Sequence, residues 1–175
     1  MKKLLITTLF LFSFSSFAEV DCEKHPIYCQ ITENMPGIDK TYAMRLSDII
    51  YKMHRKYHIP TRVFTAILRQ ESGYSLEAKG KHCGLNKKGE KNCIYTDFGI
   101  SQIHWKTAEL WGFDIKRLTT DLEYSVEAGA IILHDVMERF EAKDMNWWTR
   151  YNCGFRSTTK RDTCQIYKKL VERYY

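Results

Sequence analysis

The chain has 175 residues, with 27 Lys and Arg against 21 Asp and Glu, a net charge of +6 and 44% hydrophobic residues. One domain of this size buries a proper core, so no division into several domains is needed. The positive charge is mild and forms no dense Lys/Arg stripe, which excludes a nucleic-acid reader.

The first 18 residues read as a secretory signal peptide. Lys2 and Lys3 give a positive start, Leu4 to Phe12 run almost wholly apolar, and Ser16-Phe17-Ala18 puts small residues where a signal peptidase reads. That run is too short to span a bilayer, and no later run of about 18 apolar residues exists, so no stable membrane anchor is expected. Cys22 is not a lipidation site, because Glu19-Val20-Asp21 before it is acidic. Cleavage after Ala18 leaves 157 residues with 25 basic and 21 acidic side chains, a net charge of +4. The mature protein is therefore expected in the periplasm or outside the cell.

Residues 19–38 are expected to be an irregular N-terminal arm, because Pro26, Pro36 and Gly37 break regular structure. The folded domain is expected over 39–175. From Tyr42 to Tyr57 the residues Ala43, Leu46, Ile49, Ile50, Met53 and Tyr57 recur at helical spacing. Ile59-Pro60 ends that helix, and Pro60 or Thr61 opens the next. Val63, Phe64, Ile67 and Leu68 form its buried stripe, and Gly73 ends it just after Glu71 and Ser72. Residues 74–97 form a polar, lysine-rich loop with a short hairpin near Asn86 to Gly89. Phe98 to Ile103 is a short apolar stretch, and His104 to Trp111 is a helix ended by Gly112. Asp121 to Phe140 is the longest helix. The cluster Ala128-Gly129-Ala130 lies in its middle, where a glycine costs about 1 kcal/mol relative to alanine and so signals close approach of another segment. Asn146 to Tyr151 and Arg161 to Tyr175 are the last two helices, with Gly154 between them. The fold class is mainly α, a single domain with a short disulfide-held loop or β-hairpin.

All six cysteines lie after the signal: Cys22, Cys29, Cys83, Cys93, Cys153 and Cys164. An even count in an exported chain predicts disulfides. The cysteines fall into three close pairs, which points to Cys22–Cys29, Cys83–Cys93 and Cys153–Cys164. A zinc site is disfavoured, because no Cys-x-x-Cys is present and His82 beside Cys83 is the only Cys–His neighbour. No metal and no cofactor are expected.

Three short pieces occur in order: Glu71-Ser72-Gly73, Gly99-Ile100-Ser101-Gln102-Ile103 and Tyr151-Asn152-Cys153-Gly154, with Ala128-Gly129-Ala130 before the last. Together they resemble the lysozyme-like lytic transglycosylases over roughly residues 58 to 155. The likeness is nearest to the small single-domain members that accompany secretion and conjugation machines. It implies peptidoglycan glycan strands as substrate and a secretion or conjugation apparatus as partner. It also implies Glu71 as the one acid/base, which protonates the leaving oxygen and then takes the proton of the muramoyl C6 hydroxyl to leave a 1,6-anhydro sugar. Glu71 is suited to this, since it follows Ile67 and Leu68 on a core-facing stretch and burial lifts a glutamate from its ordinary pKa of about 4.3. The helix C-terminus pushes the same way.

By the same resemblance, Ser72, Gly99, Ser101, Gln102, Tyr151 and Asn152 border the glycan. Gly99 would let backbone approach sugar, Gln102 would bond its hydroxyls and acetamides, and the Tyr151 hydroxyl would bond the catalytic carboxyl. Ser72 has an equal reading as a helix-end hydroxyl satisfying backbone. Ser101 stands where the family usually has methionine, and Cys153 where it has a small alanine. Ser125 lies near a frequent asparagine and is not carried over. A hydrolytic lysozyme on the same fold needs a second carboxylate, and Asp97 is the best candidate, ahead of Glu77 and Glu90. A wall-binding protein without catalysis is the alternative of another class, and the intact Glu71, Gln102 and Tyr151 argue against it. Trp105, Trp111, Trp147 and Trp148 are read as packing residues, with a minority role for Trp147 or Trp148 as a sugar platform. His104 reads either as a substrate contact or as a helix cap.

Overall fold

The computed structural model describes residues 20–85, 88–154 and 162–175. The expected signal peptide at 1–18, the hairpin-tip residues Asn86 and Lys87 and the expected helix start at Arg161 lie outside the described residues. The described chain is mainly helical with one small antiparallel sheet. In order it runs α1 (Pro26–Asn34), α2 (Lys40–Tyr57), α3 (Thr61–Ser72), β1 (Lys79–Leu85), β2 (Lys91–Phe98), β3 (Ile103–His104), α4 (Trp105–Trp111), α5 (Ile115–Leu118), α6 (Leu122–Phe140), α7 (Arg150–Cys153) and α8 (Asp162–Val171).

The expected irregular arm is corrected in one respect, since it contains helix α1. Pro26 occupies the first turn, where its missing N–H costs nothing, and Ile27, Tyr28, Cys29 and Ile31 are buried in the main core. Helix α2 buries Ala43, Leu46, Ile49, Ile50 and Met53, the stripe its periodicity gives. The Asp39 side chain accepts from the Tyr42 N–H at its start, and His58 ends it in the left-handed conformation. Helix α3 buries Phe64 through Leu68. Helix α6 crosses this layer, with Leu122, Val126, Ala130, Leu133, Val136 and Met137 in the main core. Its exposed edge meets α2 through Lys52–Glu123 and Lys56–Glu127, and pairs this exposed add little to stability because solvent screens them.

The polar loop is more regular than its composition implies. Strands β1 and β2 form a long hairpin, and β3 adds to β2, giving the order β1-β2-β3. Cys83 lies directly opposite Cys93, and the two form a disulfide. Most of the hairpin is exposed on both faces, Leu85, Ile94 and Tyr95 included. No face of it is buried along its length, so the sequence shows no alternation of apolar and polar residues. The other two disulfides are Cys22–Cys29 and Cys153–Cys164, the pairings the spacing gives.

The segment read as one helix from Asn146 is a single tight turn, Trp147–Thr149, that runs into α7. A smaller cluster of Ile103, Ala108, Leu118, Ala128 and Ile132 lies between the sheet side and α6. Helix α6 therefore serves two cores, and a cleft opens along the boundary between them.

Candidate active site

Glu71 lies in the last turn of α3, one helical turn beyond the fully buried Ile67 and Leu68. Gly73 closes the helix at φ +63, and its N–H donates to the Arg69 carbonyl. This abrupt stop leaves the Glu71 side chain facing a cleft of about 600 Å³. Its lining comes from the β2–β3 region (Asp97, Gln102, Ile103 and His104), from α4 (Thr107, Leu110 and Trp111), from α6 (Ile132 and Val136) and from α7 and its end (Arg150, Tyr151, Asn152 and Gly154). A volume of this order takes a ligand of a few sugar rings.

Burial pushes the Glu71 carboxyl up from 4.5 to about 7. The Tyr167 hydroxyl opposes this by donating to it, and the charge of Asp97, which also lines the cleft, adds to it. The Tyr167 O–H donates to Oε1 of Glu71 at 2.5 Å. Tyr167 comes from α8 and is only 5% exposed. It was not singled out from the sequence, although a signal exists: Cys164, Tyr167 and Val171 form the buried stripe of the last helix. A phenol on such a stripe requires a polar partner.

The Tyr151 hydroxyl does not make the expected bond to Glu71; it donates to the Ser101 carbonyl at 2.9 Å. Tyr151 nevertheless lines the cleft. Burial and then the neighbouring Glu71 charge hold its phenol well above the usual tyrosine range. The same two causes, in the same order, act on Tyr167. Both phenols are therefore neutral donors at physiological pH.

Two of the expected sugar contacts are packing residues instead. Ser101 is fully buried, and its hydroxyl donates to the Ser125 carbonyl of α6 at 2.9 Å. A Cβ at Gly129 would sit 2.3 Å from the Ser101 hydroxyl oxygen, which explains the mid-helix glycine. Gly99 is buried at φ +77, and a Cβ there would sit 2.0 Å from the Leu118 carbonyl oxygen. The end of α5 thus suffices to require glycine here. Ser72 donates to the Leu68 carbonyl at 3.2 Å, the helix-end role, and is not among the cleft-lining residues.

Gln102 does face the cleft. Its backbone is in the left-handed region at φ +46, which costs a non-glycine residue of order 1 kcal/mol. Its side-chain amide donates to the Gly99 carbonyl at 2.9 Å and the Ala78 carbonyl at 3.2 Å, which holds the turn. Asn152 and Asp97 also line the cleft. Asp97 lies on β2 opposite His104 and accepts from the Thr96 hydroxyl at 2.7 Å. His104 caps α4 by accepting from the Lys106 N–H, and it also lines the cleft. Trp147 and Trp148 are 6% and 5% exposed and belong to the core, whereas Trp111 borders the cleft beside the 82% exposed Leu110. Among the described residues no group of three or more His, Cys, Asp or Glu side chains is arranged to hold a metal ion.

A family model described as the transglycosylase SLT domain matches residues 48–169. No curated protein and no solved structure matches the chain.

Proposed function

The chain belongs to the transglycosylase SLT family, and we propose that Glu71 alone carries out both proton transfers of a non-hydrolytic cut in peptidoglycan. Membership supports peptidoglycan lytic transglycosylase activity in general. The finer reading is supported by one observation above the others: a cleft-lining carboxyl raised to about 7, with the Tyr167 hydroxyl on it. A group with that pKa is part protonated near neutrality, so it serves as acid and as base within one cycle.

The protonated Glu71 donates to the oxygen linking N-acetylmuramic acid to N-acetylglucosamine, and the bond from that oxygen to the anomeric carbon breaks. The carboxylate then accepts the proton of the muramoyl C6 hydroxyl as that oxygen bonds to the anomeric carbon. The product is a 1,6-anhydro-muramoyl end, no water is consumed, and Glu71 regains its proton. Tyr167 holds Oε1, leaving the other oxygen to meet substrate. The Asn152 amide can donate to and accept from sugar hydroxyls and acetamides, whereas Gln102 offers its side-chain oxygen as an acceptor, because its NH2 donates to the Gly99 and Ala78 carbonyls. The apolar side chains of Leu110 and Trp111, which line the cleft, suit the flat face of a sugar ring. Such a cut, made outside the cytoplasm after removal of residues 1–18, serves local opening of the wall for a secretion or conjugation apparatus.

A hydrolytic reading has one observation in its favour, the presence of Asp97 in the same cleft. Digestion of purified sacculi decides between them. Muropeptides lighter by one water than the hydrolytic products are expected, and reducing-end muramic acid as the sole product refutes the proposal. Asp97→Asn separates them again, since the anhydro reaction persists without that carboxylate and a two-carboxylate hydrolysis does not.

A further inference from the structure

We infer that the Cys153–Cys164 disulfide is a positioning device for the catalytic carboxyl, fixing helix α8 so that the Tyr167 hydroxyl stays on Glu71, and that the enzyme reaches full activity only when this pair is oxidised. The activity part rests on the proposed role of Glu71, while the positioning part does not.

The argument is one of placement. Cys153 is in α7 between Asn152 and Gly154, both of which line the cleft. Cys164 is in α8, 1% exposed, with its Cα 5.6 Å from that of Cys153. Tyr167 follows it by one helical turn on the same buried face. The covalent bond thus joins a cleft wall to the segment that reaches Glu71. Helix α8 has ten residues, too few to be stable alone, and depends on what anchors it. Other anchors of this end of the chain include the packing of α8 on α3, the Tyr167 ring beside Trp148, with centroids 6.4 Å apart, the buried Val171 and, just beyond the helix, the Tyr174 carbonyl, which accepts from Gln30 and Asn34. The disulfide adds the one covalent tie between α8 and α7 among the described residues. The other disulfides do no such work. Cys22–Cys29 ties α1 to the residues before it, and Cys83–Cys93 staples the exposed hairpin.

Among the described residues, three groups act on Glu71 from the elements around it: Tyr167 of α8, Tyr151 of α7 and Asp97 of β2. Of the described groups, Tyr167 is the one that lowers the Glu71 pKa. Freeing α8 removes that donor, so the carboxyl moves further up and loses its fixed orientation. Oxidation forms the S–S bond as the two thiols pass two electrons and two protons to an external disulfide, and a dithiol reverses the exchange. The reduced chain, before export, is thereby held at low activity.

The test compares the parent with Cys153→Ala/Cys164→Ala, with Tyr167→Phe and with the triple variant. Each is followed by kcat and KM on sacculi and by carbon-13 titration of the Glu71 carboxyl. The expected result for the double cysteine variant is a fall of about tenfold in kcat, little change in KM and a Glu71 titration moved to higher pH, as in Tyr167→Phe. In the triple variant no further loss is expected, because both changes remove one interaction. Cys22→Ala/Cys29→Ala is the control, lowering Tm without moving the titration. Parental kcat and titration in the double cysteine variant, or losses that multiply in the triple, overturn the inference. If the variant does not fold, the folded parent is reduced with dithiothreitol and alkylated. Activity that falls as alkylated Cys153 and Cys164 appear supports the inference; full activity with both alkylated overturns it. A parent that yields no anhydro-muropeptides refutes the transglycosylase reading, yet the carbon-13 titration still decides whether the disulfide positions Tyr167.

Discussion

Replacing Glu71 by Gln is expected to abolish cutting and, at the same time, to stabilise the fold in a pH-dependent way. Desolvation raises this carboxyl from 4.5 to about 7 in the folded state. Each pKa unit corresponds to about 1.4 kcal/mol, so ionised Glu71 costs the fold about 3 kcal/mol as an upper figure. The sign follows from proton counts. Between pH 4.5 and about 7 the folded carboxyl keeps a proton that the unfolded one has lost, so stability falls as pH rises through that window. Below it both states are protonated and the penalty vanishes, while above it the penalty is complete. Glutamine has nearly the same shape, accepts from the Tyr167 hydroxyl and never ionises. The variant should therefore match the parent near pH 4 and exceed it near pH 8 by about 3 kcal/mol at most, or roughly 6–12 °C in Tm for a domain of this size. Urea unfolding of both proteins across this range, with activity on sacculi measured in parallel, is the assay. An equal difference at both pH values, or a variant less stable than the parent near pH 8, would show that Glu71 is not a desolvated acid.

Other variants probe the support around that acid. Tyr167→Phe removes the hydroxyl on Oε1; kcat is expected to fall about tenfold, and the alkaline limb of the pH–rate profile to move up, since this donor lowers the Glu71 pKa. Asp97→Asn removes the negative charge that raises Glu71, so the alkaline limb should move down while anhydro products persist. Gly129→Ala, favourable by helix propensity alone, is expected to destabilise by about 1–3 kcal/mol in urea unfolding, because its Cβ would meet the Ser101 hydroxyl at 2.3 Å. Pairing it with Ser101→Gly should recover much of that loss, and an additive pair would refute the packing account.

Much of this molecule was legible before folding, and the reason is local. The stripes of α2, α3 and α6 are written at helical spacing because each helix turns one face to a core. The three disulfides follow chain proximity, since each closes a short loop. The placement of Glu71 beside buried aliphatic residues at a glycine-ended helix is also local, and so the direction of its pKa shift was open to reading. Gly129 announced a close contact by standing where a glycine is unfavourable.

What the sequence by itself determined is thus the long helices α2, α3 and α6, their buried faces and the carboxyl that would be desolvated. Only the tertiary structure decided which groups meet that carboxyl. Tyr151 and Tyr167 are both buried phenols, and no periodicity distinguishes them; the packing of α8 on α3 brings Tyr167 to Glu71, while Tyr151 turns to the Ser101 carbonyl. Gly99 and Ser101 likewise look like sugar contacts in one dimension and prove to be the points where a turn presses on α5 and α6. Side-chain pairing across 96 residues of chain depends on interaxial distance and rotation, and those are set by how whole helices interlock.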